Sequence, residues 1–88
     1  MRLLRWTTHA LRSLSDRGIE RSDAERAIEE PMWVVPDPPG REIRMRRYFD
    51  SSLRREMLLR VVVEETASEV IVITLYKTSQ LRRYLREQ

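Results

Sequence analysis

Residues 57–76 read MLLRVVVEETASEVIVITLY, and this stretch constrains the fold more than any other. Val61, Val62, Val63, Val70, Ile71, Val72, Ile73 and Thr74 are β-branched. Such side chains suit a pleated surface better than a helix. Leu53, Met57, Leu58 and Val61 also fit a helical period, but the unbroken run Val61-Val62-Val63 favours a strand. The polar residues 65–69 between the two runs are short enough for a hairpin loop. A lone hairpin is marginal in water, so the rest of the chain must cover it.

That cover can be read in chain order. Thr8 is a candidate N-cap for a helix over 9–17, in which Ala10, Leu11 and Leu14 form a narrow apolar stripe. Gly18 is a natural stop, with Ile19 placed to pack back on the helix. Ser22-Asp23-Ala24-Glu25 reads as a capping box for a second helix, buried through Ala24, Ala27 and Ile28 and ended by Pro31. Residues 32–35 make a short edge strand before the turn Pro36-Asp37-Pro38-Pro39-Gly40. Residues 41–49 alternate as a further strand, and Asp50-Ser51-Ser52 marks the next turn. After the hairpin, Thr78 or Ser79 caps a closing helix with Leu81, Tyr84 and Leu85 on one face. The expectation is one α+β domain filling 1–88. Two N-terminal helices pack on a four-stranded antiparallel sheet, and a short C-terminal helix closes the chain.

Alternation then sorts the strand faces. Ile43, Met45 and Phe49, with Met57, Leu59, Val61 and Val63, and with Ile71, Ile73 and Leu75, make the face covered by helices. The opposite, open face gathers Arg44, Arg46, Tyr48, Arg60, Thr74 and Tyr76. A register error of one residue would flip this assignment strand by strand.

Charge follows the same division. Arg41, Arg44, Arg46, Arg47, Arg54, Arg55 and Arg60 outweigh Glu42, Asp50 and Glu56 in their segment, and Arg82, Arg83 and Arg86 form a second basic cluster. Residues 20–37 are acidic. Lys77 is the one lysine among the basic residues, and arginine is the better fork for phosphate. Over 88 residues the net charge is only +3, so its distribution matters more than its total. The chain has no cysteine, which excludes disulfides and thiolate metal sites and suits a reducing compartment. No apolar run approaches the roughly 20 residues of a membrane helix, and Arg2, Arg5 and Arg12 interrupt any signal-peptide core. The expectation is a soluble, cytoplasmic protein. Gly18 and Gly40 are the only glycines and His9 the only histidine, so neither a phosphate loop nor a metal site is expected, and no cofactor.

Three pieces in order carry a family resemblance: Thr8-His9-Ala10, then Arg17-Gly18-Ile19 leading into 22–28, and Val72-Ile73-Thr74-Leu75-Tyr76. Together they resemble the bacterial family called domain of unknown function 4258, over nearly the whole chain. That family is similar in layout to the BrnT and RelE toxins, in which helices precede a four-stranded antiparallel sheet. Those relatives are ribonucleases, usually made beside an antitoxin. The resemblance implies a RelE-like fold, RNA as a partner and an antitoxin protein as another.

Metal-free RNA cleavage requires a base for the 2′-hydroxyl, charge to hold the phosphorane, and an acid for the leaving oxygen. His9, Tyr76 and Lys77 are the candidate proton carriers. Arg46 and Arg60 are candidate clamps on the scissile phosphate, and Arg44, Tyr48 and Thr74 complete the candidate RNA face. The rival reading is a non-catalytic module that binds RNA or an acidic protein. In it His9 is an exposed capping residue, Tyr76 is packing, and the arginines are a solvated sheet face.

Overall fold

The structure, a computed structural model, describes residues 2–85, with the side chains of Tyr84 and Leu85 left out. The elements run β1 (Leu3–Trp6), α1 (Thr8–Asp16), α2 (Arg21–Glu29), β2 (Trp33–Asp37), β3 (Arg41–Asp50), β4 (Arg55–Glu65), β5 (Glu69–Thr78) and α3 (Leu81–Leu85). Arg86 of the expected C-terminal basic cluster lies outside the described residues. The α+β class holds, but the sheet has five strands in the order β1-β5-β4-β3-β2. β1 lies parallel to β5, and the other neighbours are antiparallel. The expected four-stranded antiparallel sheet is corrected on this point. Four residues are too few for alternation to reveal a strand, yet Leu4 and Trp6 pack on the core once β5 supplies a partner.

The helix ends follow local chemistry. Thr7, not Thr8, is the N-cap of α1: its hydroxyl accepts from the Ala10 N–H at 3.0 Å and donates to the Val72 carbonyl at 2.9 Å. α1 ends in the expected glycine stop. Gly18 sits at φ 62°, and the Ile19 N–H donates back to the Leu14 carbonyl at 2.9 Å. α2 starts one residue before the expected capping box: Glu20 is its N-cap, without a side-chain cap bond. Ser22 and Asp23 therefore stand inside the first turn.

The core lies between the helices and one sheet face. Ala10, Ile19, Ala24, Ala27 and Ile28 meet Leu59, Val61, Val63, Val70, Val72 and Leu75. The alanines let the helix backbones approach the sheet closely. β4 presents the expected residues; on β5 Leu75 does so too, but Val70 and Val72 stand in place of Ile71 and Ile73, because a bulge interrupts the pairing. Val62 pairs with Thr74 and Val63 with Val72, leaving Ile73 over. Val70 and Val72 face the helices before the bulge, and Leu75 and Lys77 after it. Ile71 lies on the far face, and Ile73 is half-buried at the bulge.

β3 is inverted relative to expectation. Arg44 pairs with Val61, Arg46 with Leu59 and Tyr48 with Met57, so this series shares the helix side of the sheet. Two of these guanidiniums close the end of α2: Arg44 donates to the Ile28 carbonyl at 2.9 Å, and Arg46 to the Glu30 carbonyl. The last carbonyls of a helix lack intrahelical donors, and this need outweighs the apolar count on the other side of β3. The far face is equally apolar. Met45 and Leu58 on it are fully buried, and Val62, Ile71 and Arg60 nearly so. It is therefore no open arginine surface. When both faces of a strand are buried, alternation carries no sign.

Candidate functional site

β3 outruns its outer neighbour. β2 pairs with β3 only from Arg41 to Met45, while β3 continues along β4 to Asp50. Beside this extension, α2 and the sheet enclose a cleft of about 210 Å³. Asp23 and Arg26 line it from α2, and Arg46, Arg47, Tyr48 and Phe49 line it from β3, over a floor at Leu59. A small notch between Gly18 and Ser52 adjoins it, sharing Asp23 and Tyr48 and reaching Asp50.

Asp50 anchors the wall. Its side chain is 5% exposed, and every contact recorded for it is a donor. Lys77 Nζ lies 2.6 Å from Oδ2 and the Tyr48 hydroxyl donates to the same oxygen at 3.2 Å. Oδ1 accepts the backbone N–H groups of Ser52 and Leu53, both at 3.0 Å, which folds the 51–54 turn. The Lys77 hydrogen bond, then that of Leu53, holds the Asp50 carboxyl down at about 2 despite its burial. Burial, with the Asp50 charge second, raises the Tyr48 phenol. Burial also raises the Asp23 carboxyl, helped by the charges of Glu20 and Asp50 and opposed by Arg26.

The cleft's cations keep hydrogen-bonding capacity. Each guanidinium carries five N–H donors in a planar fork. Arg26 meets Glu30 at 3.8 Å and Arg47 meets Glu56 at 3.7 Å, both as exposed pairs of small energetic worth. Arg47 also lies over the Trp33 ring at 6.0 Å. Phe49, next on that side of the strand, is 65% exposed.

The residues expected from sequence are dispersed. Arg46 and Tyr48 belong to the cleft. Arg44 is held by Ile28, Glu42 and Glu65 under α2. Arg60 lies on the far face, over the Tyr76 ring at 5.6 Å. His9 Nε2 contacts Thr74 Oγ1 at 3.0 Å, at the margin of β5 beyond the end of β1. Lys77 is committed to Asp50 and to the Gly18 carbonyl. The proposed proton carriers His9, Tyr76 and Lys77 thus make three separate sets of contacts, and Arg46 and Arg60 lie on opposite sheet faces. Sequence reasoning missed Asp23, Arg26, Arg47, Phe49 and Asp50 as site residues. Asp50-Ser51-Ser52 was the one local signal, and it spoke only of a turn. Among the described residues no three His, Cys, Asp or Glu side chains gather as a metal site, and no helix is long and apolar enough to cross a membrane.

A mixed sheet backed by two helices, with an arginine-rimmed cleft where β3 passes α2, defines a small α+β domain with a cationic groove. The chain belongs to the family described as Domain of unknown function (DUF4258), which matches residues 6–77. No curated protein and no solved structure matches it.

Proposed function

We propose that this chain is an RNA-binding protein and that the cleft between α2 and β3 holds the RNA backbone. The observation that carries the reading is the joint placement of Arg26 and Arg46 in one groove, with Arg47 and the exposed Phe49 at its rim on the other side of the strand. Guanidinium forks match phosphate oxygens, and an exposed ring offers a stacking surface for a base. The two helices that precede β2–β5, similar in layout to RelE and BrnT toxins, agree with a toxin-type role. The test is RNA binding across a salt series. Affinity falls steeply with salt, and Arg46→Ala together with Arg26→Ala flattens the slope by about the two phosphates they neutralise. RNA binding unchanged in that double variant would overturn the assignment, and binding of an acidic protein without RNA affinity would favour the interaction module.

One observation favours strand scission as a second reading: Asp23, its carboxyl raised, stands in the same cleft as the arginines. In that reaction Asp23 takes the proton of the 2′-hydroxyl and the 2′-oxygen bonds to phosphorus. The bond from phosphorus to the 5′-oxygen breaks, and water supplies the proton that oxygen needs. Arg46 offsets the charge on the phosphorane. RNA cut in the presence of EDTA by the parent but not by Asp23→Asn supports this reading. Intact RNA with the parent removes it.

A further inference from the structure

Beyond Met45 the outer edge of β3 has no strand beside it. The last β2–β3 pair is Trp33 with Met45, and the Met32 N–H donates to the Met45 carbonyl at 2.8 Å. The Met45 carbonyl thus points toward β2. In an antiparallel sheet the backbone groups of alternate residues point to the same side. Those of Arg47 and Phe49 therefore point outward along the same edge, where no β2 residue faces them. Natural sheets cover or blunt such edges. Here the edge forms the rim of the cationic cleft, and the side chains of Arg46 and Tyr48 leave on one side of it while those of Arg47 and Phe49 leave on the other.

We infer that this edge selects unpaired RNA over duplex, with a base stacked on Phe49 and its hydrogen-bonding edge read by the outward N–H and C=O of Arg47 and Phe49. The inference rests on the RNA-binding reading above and narrows its substrate class. A strand edge offers a donor and an acceptor side by side, which is the complement of a nucleobase's Watson–Crick edge. In a duplex those base edges are already paired and the ring faces are stacked, so neither Phe49 nor the backbone can reach them. Phosphates, by contrast, are available to the arginines in both forms. The stacking partner is in place: Phe49 is the most exposed aromatic ring on the strand, and it follows Arg47, which already lies over the Trp33 ring.

The test compares two labelled probes by fluorescence anisotropy at one salt concentration: an unpaired RNA of mixed sequence, and an RNA duplex with the same number of phosphates. The parent binds the unpaired probe at least about 10-fold more tightly, the scale of a single stacked base. Phe49→Ala loses most of that preference and leaves duplex affinity unchanged, whereas Arg46→Ala weakens both probes alike. Because Phe49 is largely exposed, its variant retains the parent's thermal midpoint, which is checked alongside. Equal affinity for the two probes in the parent, with Arg46→Ala weakening both, would overturn the inference and leave the RNA reading standing. A Phe49→Ala effect equal on both probes would also overturn it. Failure of both probes to bind would remove the RNA reading and the inference together.

Discussion

Lys77 Nζ and Asp50 Oδ2 lie 2.6 Å apart, in a pair whose side chains are 14% and 5% exposed. The contact ties the end of β5 to the last residue of β3, and Tyr48 and the 51–54 turn complete the shell around the carboxylate. Its consequence is a defined acid sensitivity. The Asp50 carboxyl is lowered to about 2 in the folded chain, against an ordinary 3.8. A depressed carboxylate adds stability that is fully present above the unfolded value and is lost as pH falls through the folded one. The loss is on the order of 2 kcal/mol between about pH 4 and pH 2. Urea denaturation across that window shows it in the parent, and Asp50→Asn flattens the acid limb.

Removing only the cation should be worse than weakening the pair. Lys77→Ala leaves a buried carboxylate with two backbone donors and Tyr48. The expected cost is about 3 kcal/mol, typical of breaking a buried ion pair from one side. Chemical denaturation of Lys77→Ala beside Asp50→Asn measures it.

Asp23 predicts the opposite pH trend. Its carboxyl is raised by burial and by neighbouring acids. A raised carboxyl costs stability as pH climbs through its folded value, and below the unfolded value the cost vanishes. Asp23→Asn is therefore more stable than the parent at neutral pH and equal to it in acid. Melting temperatures of the two proteins at matched pH test this, and a gain that persists in acid would contradict it.

Arg44 and Arg46 should separate stability from binding. Arg44 donates to Ile28, Glu42 and Glu65 from a site 13% exposed. Arg44→Ala is expected to cost about 1–3 kcal/mol, since it leaves the α2 carbonyl and two carboxylates short of a donor. RNA affinity of the folded variant stays within about twofold of the parent, which amounts to less than ~0.5 kcal/mol. Arg46→Ala shows the reverse pattern, because its contact with the Glu30 carbonyl is exposed and water can replace the lost donor. Equilibrium unfolding and RNA titration of both variants decide the matter.

The two core positions in the hairpin should also diverge. Leu59 is 1% exposed beneath α2, so Leu59→Ala costs about 2–5 kcal/mol. Ile73 is only half-buried at the bulge, so Ile73→Ala costs about 1 kcal/mol. Denaturant midpoints compare them directly.

What could be read from the chain was local. Gly18 and Ile19 announced the end of α1, because a left-handed residue and an apolar return contact are recorded in adjacent letters. Leu59, Val61 and Val63 announced a core face, because the alternation on β4 spans enough residues to be unambiguous. β3 defeated the same logic: Met45 and Arg46 are both inward-looking on their own faces, one toward a second apolar layer and one toward helix carbonyls. The cleft was invisible for another reason. Asp23 and Arg26 are some twenty residues from Arg46 and Tyr48 in the chain, and only the fold of α2 over β3 makes them neighbours. His9 was singled out as the lone histidine, but chemical rarity says nothing about where α1 begins.

Ile73 sets a parity. From Val72 to Lys77 the strand spends one residue without a partner, and that single unit decides whether the ammonium emerges toward Asp50 or away from it. Were Ile73 paired in register, with no bulge, the two sides of everything downstream would be exchanged. Tyr76 and Thr74 would turn under the helices, Leu75 would turn away from them, and the anion at the tip of β3 would lose its counter-ion without any change at either charged residue. The wall of the groove is thus encoded in an odd-or-even count on a neighbouring strand as much as in the identities of the residues that form it.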